Sequence, residues 1–168
     1  MSKQHKIRLA TQADAIAVNS ISRETGLSNG EASSEADGGA DNTELEPMDH
    51  QHTWIVLEDN SNTIVGAAYF GPESHSDRVW NLYFLAVSKH AQGAGIGSAL
   101  VAWVEANLRT RGEDVAKLLL IETSSVESFA ATRAFYAKQG YVEEARVREY
   151  YGPNDDKVIF WKLLQSSG

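Results

Sequence analysis

Apolar positions along this chain fall into short blocks whose period switches between two and roughly three and a half, and each switch marks an element boundary. "HKIRLA" at 5–10 reads as a short strand. The helix of "TQADAIAVNSISRETG" opens at Thr11, with Asp14 three residues on completing a capping pattern. "HTWIVLED" and "TIVGAAYFG" flank a turn at Asn60–Asn62 and predict a hairpin. "RVWNLYFLAVS" is a third apolar strand; a glycine-rich loop follows, then a helix opening near Gly95 in which Ile96, Leu100, Val101, Val104 and Leu108 recur at helical spacing. "AKLLLIET" is a buried strand, and "SFAATRAFYAKQ" is a helix stopped by Gly140, where a left-handed cap is wanted. "YVEEARVREYY" and "DKVIFWKLL" close the pattern as a hairpin across "GPNDD". Antiparallel strands at both ends and a strand–helix–strand crossover in the middle predict an α+β chain with a sheet of mixed direction.

At 168 residues with 42% hydrophobic content the expectation is a single globular domain. No window reaches the roughly 18 apolar residues of a membrane span, and "MSKQHKIRLATQ" lacks a signal peptide's apolar core, so a cytoplasmic protein away from membranes is expected. The absence of cysteine excludes disulfides, thiolate metal sites and a cysteine acyl relay. Charge is concentrated: Glu31, Glu35, Asp37, Asp41, Glu44, Glu46 and Asp49 stand without a Lys or Arg between 26 and 49, in a net charge of -8. With its Gly, Ser and Asn content this stretch reads as a mobile acidic insertion. The remainder is nearly neutral and shows no basic stripe, which argues against nucleic acid as a partner. His50 and His52 have a weak metal-ligand spacing that nothing completes, and no metal site is expected.

The stretch "HAQGAGIGSALV" raises the chemical question. A strand end, a glycine-rich turn and a helix start gather backbone N–H groups and the positive end of a helix dipole at one point, an arrangement suited to phosphate. Glycine allows close approach of an anion and positive φ; a tight turn packed against the sheet would explain the same glycines. A dinucleotide fingerprint fits poorly, because Ser98 stands at the third glycine position and only one crossover follows. A Walker loop is excluded by the lack of Gly-Lys-Ser/Thr.

Taken with its neighbours, "LAVSKHAQGAGIGSALV" resembles the acyl-CoA motif Gln/Arg-x-x-Gly-x-Gly/Ala of the GNAT family of N-acetyltransferases, with Gln92, Gly95 and Gly97 at the defining positions. "TIVGAAYF" is similar to that family's third strand, "LLLIET" to its fifth, and "ATRAFYAKQGY" to its Phe/Leu-Tyr-x-x-x-Gly-Phe/Tyr helix and turn. The likeness runs from about Ile7 to Leu164, with the acidic stretch at about 26–49 as an insertion. It implies one GNAT domain over 1–168: a mixed, mostly antiparallel sheet of six or seven strands flanked by helices and splayed at the fourth and fifth strands.

The resemblance also implies an activity, direct transfer of an acetyl group from acetyl-CoA to a primary amine. The pantetheine arm would lie like an added strand along Leu85, Ala86 and Val87, with Gln92 and the loop Gly93, Ala94, Gly95, Ile96, Gly97 and Ser98 holding the pyrophosphate. Tyr136 aligns with the tyrosine that protonates the leaving thiolate, though it also reads as a core aromatic. The family's fourth-strand glutamate is replaced by Asn81, which cannot accept a proton. Glu122 is then the nearest carboxylate by resemblance, as base or amine ligand or simply as an order-giving strand end. Water relayed by Asn81 or Ser124 is the alternative. Phe129 stands where relatives place an asparagine that bonds the CoA arm; Ser125 or Ser128 would replace that contact or serve as caps. Arg133 would face the CoA phosphates or solvent.

For the acceptor, the acidic insertion favours a small or cationic amine. A protein lysine or N-terminal acetyltransferase and a non-catalytic acyl-CoA sensor on the same fold stay open, as does a homodimer.

Overall fold

The computed structural model describes residues 5–26, 45 and 51–164. Its strands are β1 (Lys6–Leu9), β2 (Thr53–Glu58), β3 (Ile64–Pro72), β4 (Val79–Val87), β5 (Leu118–Ser124), β6 (Val142–Gly152) and β7 (Asp155–Leu163); its helices are α1 (Ala15–Thr25), α2 (Ile96–Thr110) and α3 (Ala130–Lys138). The seven strands form one sheet in the order β1-β2-β3-β4-β5-β7-β6. The predicted elements are all present, and the α+β mixed sheet with its β4–α2–β5 crossover agrees with the expectation. Among the described residues no helix is long and apolar enough to cross a membrane. The described residues group into two compact units, one made of those up to Gly71 with Tyr83–Val104, the other of Pro72–Leu82 with those from Glu105 onward.

In the first unit, β2 pairs antiparallel with β1 and β3. The β2–β3 turn is held by the Asp59 carboxylate, which accepts from the Ser61 and Thr63 amides at 2.8 and 3.0 Å. Asp14 anchors the start of α1 by accepting from the Thr11 amide at 2.7 Å and from the Arg8 guanidinium at 2.7 and 3.0 Å. Arg8, chiefly through its hydrogen bond, holds the Asp14 carboxyl down at about 2. The helix ends at Gly26, whose left-handed φ of 76° lets its amide reach back to the Arg23 and Ser22 carbonyls. The apolar face of α1, Ala15, Val18 and Ile21, packs with Val56, Ala67, Tyr69, Phe84, Ala86 and Leu45. Of the expected acidic insertion only Gly26 and Leu45 are described; the rest lies outside the described residues. Gln12 donates to the Leu45 carbonyl and accepts from its amide, both at 3.0 Å.

Gly66 on β3 explains how α2 is seated. A Cβ there would lie 2.9 Å from Ile96 Cγ2 and 3.0 Å from Leu100 Cδ1, so the helix rests directly on bare backbone.

In the second unit, the first half of β4 pairs in parallel with β5 through Val79↔Leu118 to Leu82↔Ile121, and the register ends there. β5 continues to Ser124 against β7, which also pairs with β6. α3 stops at Lys138, and Gly140 follows two residues on with φ 93°. The buried Glu105 of α2 accepts from Tyr141 Oη and Lys162 Nζ, each at 2.8 Å, and from Arg109 at 3.2 Å. Three donors to one carboxylate satisfy a charge that would otherwise be costly to bury.

Candidate active site

The anion-binding candidate grows out of β4. Ser88 closes the strand, its amide donating to the Val65 carbonyl at 2.8 Å and its hydroxyl to Glu24 Oε1 at 2.5 Å. With that proton committed, the Ser88 oxygen is the acceptor for His90 Nδ1 at 2.8 Å. Glu24 also takes the Lys89 amide at 3.1 Å, and the Ser88 hydroxyl leads the causes that lower its pKa. The end of α1 thus pins the start of the loop. Gln92 spans its base, Nε2 donating to the Val87 carbonyl at 3.1 Å.

Gly93 and Gly95 follow with φ 81° and 80°, and Gln92, Gly93, Ala94 and Gly95 are all exposed. A Cβ built on either glycine meets nothing within 4 Å. Gly93 and Gly95 are therefore required by left-handed backbone and not by close packing, which removes the packed-turn explanation at these two positions. The first helical bond of α2 is Ala99 N to Gly95 O at 3.0 Å, so the Ile96 and Gly97 amides that precede it have no i−4 carbonyl to bond. Gly97 lies inside the helix without a positive φ; the left-handed demand falls on Gly93 and Gly95. Ile96 is buried, Gly97 and Ser98 half-buried. Leu85 and Val87 are half-buried on β4 and Ala86 is buried in the core between them.

The corner between β5 and α3 carries the other candidates. Tyr136 is 6% exposed on α3, with its ring 6.3 Å from Tyr141 and 5.8 Å from Phe160. Glu122 forms an ion pair with Lys157 at 2.9 Å. Lys157 is buried, with Nζ 3.7 Å from the Tyr150 ring centroid. Burial works against the Lys157 charge, but Glu122 and then Tyr150 outweigh it and raise its pKa. Arg133 turns inward, Nη1 donating to the Ser124 and Val126 carbonyls at 2.7 and 2.9 Å.

The serines are arranged differently from the expected helix caps. Ser124 Oγ donates to Asp155 and accepts from the Val126 amide at 3.2 Å, whereas Ser125 Oγ accepts from the Asp156 amide at 2.8 Å. Ser125 thereby fastens β7, and neither it nor Ser128 caps the turn at Glu127–Phe129 or the start of α3.

Asn81 is 1% exposed on β4, opposite Leu120 of β5. Its Nδ2 donates to Glu73 Oε1 at 2.7 Å. Sequence reasoning passed over Glu73, which lies in the β3–β4 hairpin "PESHSDR" among turn-forming residues; the signal was a carboxylate beside Pro72 at a strand end. Of the weak histidine pair, His50 lies outside the described residues, and His52 is buried with its ring 5.8 Å from Tyr69 and 5.7 Å from Tyr83.

A positive-φ glycine loop opening α2, after a strand whose parallel register stops halfway, is what the acyl-CoA motif led one to expect. The family model for the acetyltransferase (GNAT) domain matches residues 49–143, more than half of the chain. The chain belongs to the GNAT family. A solved structure from Desulfovibrio desulfuricans, assigned to the same family, is 28% identical with a TM-score of 0.81, covering 96% of this chain and 100% of its own. The ribosomal-protein-S18-alanine N-acetyltransferase of Escherichia coli shares the GNAT fold at 20% identity and TM-score 0.71, covering 98% of this chain and 97% of its own. An aminoglycoside 6'-N-acetyltransferase complexed with coenzyme A does so at 16% identity and TM-score 0.74, covering 97% and 99% respectively. No curated protein matches the sequence.

Proposed function

We propose that this GNAT protein transfers the acetyl group of acetyl-CoA directly to a primary amine. The observation that carries the reading is the Gly93–Gly95 turn: left-handed glycines with open space before them, at the start of α2, suit the pyrophosphate of the donor. β4 beyond Leu82, no longer in register with β5, offers Leu85, Ala86 and Val87 as the backbone edge for the pantetheine amides. In the reaction the amine lone pair forms the C–N bond, the C–S bond breaks, and the thiolate takes a proton. Tyr136 is assigned as the acid that supplies it, in keeping with its motif position. Arg133, Ser125 and Glu122 are assigned supporting roles, since each already has a protein partner.

The acceptor is a cation on this reading. Seven carboxylates without a counter-charge between 26 and 49 concentrate ammonium ions near the chain and repel anions. Two of the three solved relatives are named for their acceptors, one an aminoglycoside and one an alanine of a ribosomal protein. The deciding experiment is thiol release from acetyl-CoA with a panel of polyamines, amino sugars, lysine peptides and N-terminal peptides. Turnover with cationic acceptors, with a Michaelis constant that rises with salt, supports the reading; CoA binding without thiol release from any amine points to an acyl-CoA sensor.

A further inference from the structure

Amine acetylation requires a group that accepts the ammonium proton, and the half-buried carboxylates of the described residues are mostly committed. Glu122 is paired with Lys157, Glu105 takes three donors, and Asp14 and Glu58 share Arg8. Asp156 is engaged by the Glu149 amide and Arg146. Asp59 holds the β2–β3 turn and Asp155 accepts from Ser124.

Glu73 differs from all of these. It is half-buried, no cation lies within ion-pair distance among the described residues, and its position is fixed from two sides. Its amide donates to the Val79 carbonyl at 2.9 Å, and its Oε1 accepts from Asn81 Nδ2 at 2.7 Å. Oε2 has no partner among the described residues. Next to it, Asn81 Oδ1 is fully buried and likewise lacks a partner there. A buried amide oxygen left unpaired is costly, and a ligand that supplies the missing donor would account for it.

Resting on the acetyl-transfer reading, we propose that Glu73 is the general base and Asn81 its positioning residue, which together receive the acceptor ammonium. The ammonium donates to Asn81 Oδ1 and gives one proton to Glu73 Oε2, which later returns it to solvent. The freed lone pair forms the C–N bond as the C–S bond breaks; the thiolate leaves with the Tyr136 proton, and the second proton lost from nitrogen restores the phenol. Asn81 is what keeps the carboxylate oriented. It cannot itself take the proton, but it can hold Glu73 Oε1 so that Oε2 faces the amine.

The test measures wild type, Glu73→Gln and Asn81→Asp with acetyl-CoA and the best acceptor of the amine panel, with CoA affinity by calorimetry alongside. Glu73→Gln should lower kcat/KM about 100-fold or more near neutral pH, leave CoA affinity unchanged and abolish the acid limb of the pH–rate profile. Asn81→Asp sets a second carboxylate beside Glu73, so the surviving acid limb should move to higher pH. This shift separates positioning from a merely structural role. If wild type turns over and Glu73→Gln keeps its rate and acid limb, the proposal falls while acetyl transfer stands. If wild type binds CoA but acetylates no amine, the acetyl-transfer reading falls and takes this role with it.

Discussion

In the loop from Lys89 to Gly95 the side chains are mostly exposed and the backbone does the specifying; in the corner from Glu122 to Tyr136 the backbone is ordinary and the side chains are committed. Gly93 and Gly95 are defined by φ alone, with space where a side chain would be. Arg133, Ser124 and Ser125 are defined by donors and acceptors that tie β5, α3 and β7 together. A site made of backbone is damaged through conformation, whereas a side-chain cluster is damaged through unsatisfied polar groups. Binding and stability should therefore separate cleanly between the two regions.

The largest effect is expected at Tyr136, the corner's candidate for chemistry. Tyr136→Phe should reduce kcat about 100-fold with CoA affinity nearly constant, because a leaving-group acid acts in the transition state. Steady-state kinetics with calorimetry checks this, and equal turnover would move the acid role to water. Next is Gly95→Val. Forcing a β-branched residue to φ 80° opposes the left-handed turn by about 1–2 kcal/mol, which the exposed loop can relieve by leaving that turn, so CoA should bind roughly tenfold more weakly while Tm falls only slightly. Unchanged affinity would break the comparison at its backbone end.

Arg133→Met should do the reverse. Losing donors to two carbonyls should lower stability by about 1–3 kcal/mol in denaturant titration, with CoA affinity retained. A tenfold affinity loss would instead place Arg133 against the cofactor. The smallest effect concerns pH. Because the folded protein raises the Lys157 pKa, that pair's stabilisation is fully present below the ordinary lysine value, about 10.4, and is lost as pH rises through the folded value. Thermal melts above pH 10 should fall more steeply for wild type than for Lys157→Met.

Periodicity and turn residues were enough to place the elements, because each block of apolar residues has one period and ends at a structural punctuation such as Gly26, Asn62 or Gly140. The conformation of the glycine loop was legible for the same reason: it is local and written in backbone-permissive residues. The corner was legible only in part. That Arg133 folds back onto its own turn depends on how α3 leaves β5, and that Glu122 meets Lys157 depends on strand register, which brings residues 35 positions apart to adjacent sites. The contact of Glu73 with Asn81 was not legible because it is made across the hairpin, and a lone glutamate after proline reads as a turn. Gly66 was read only as part of a strand; its true role appears when Ile96 and Leu100 are seen packed on it.

The Gln12–Leu45 clamp has a consequence for how this chain can vary. One side-chain amide copies the two rungs of a neighbouring strand, and the leucine plugs the core beside α1. The described chain is thus anchored at Gly26, which ends α1, and again at Leu45. For a flexible connection between two such points, doubling the number of residues adds only about 0.6 kcal/mol of closure entropy. A change of length or charge between these two points should leave the described fold in place so long as it stops short of Leu45, whose removal would hollow the core by about 2–5 kcal/mol.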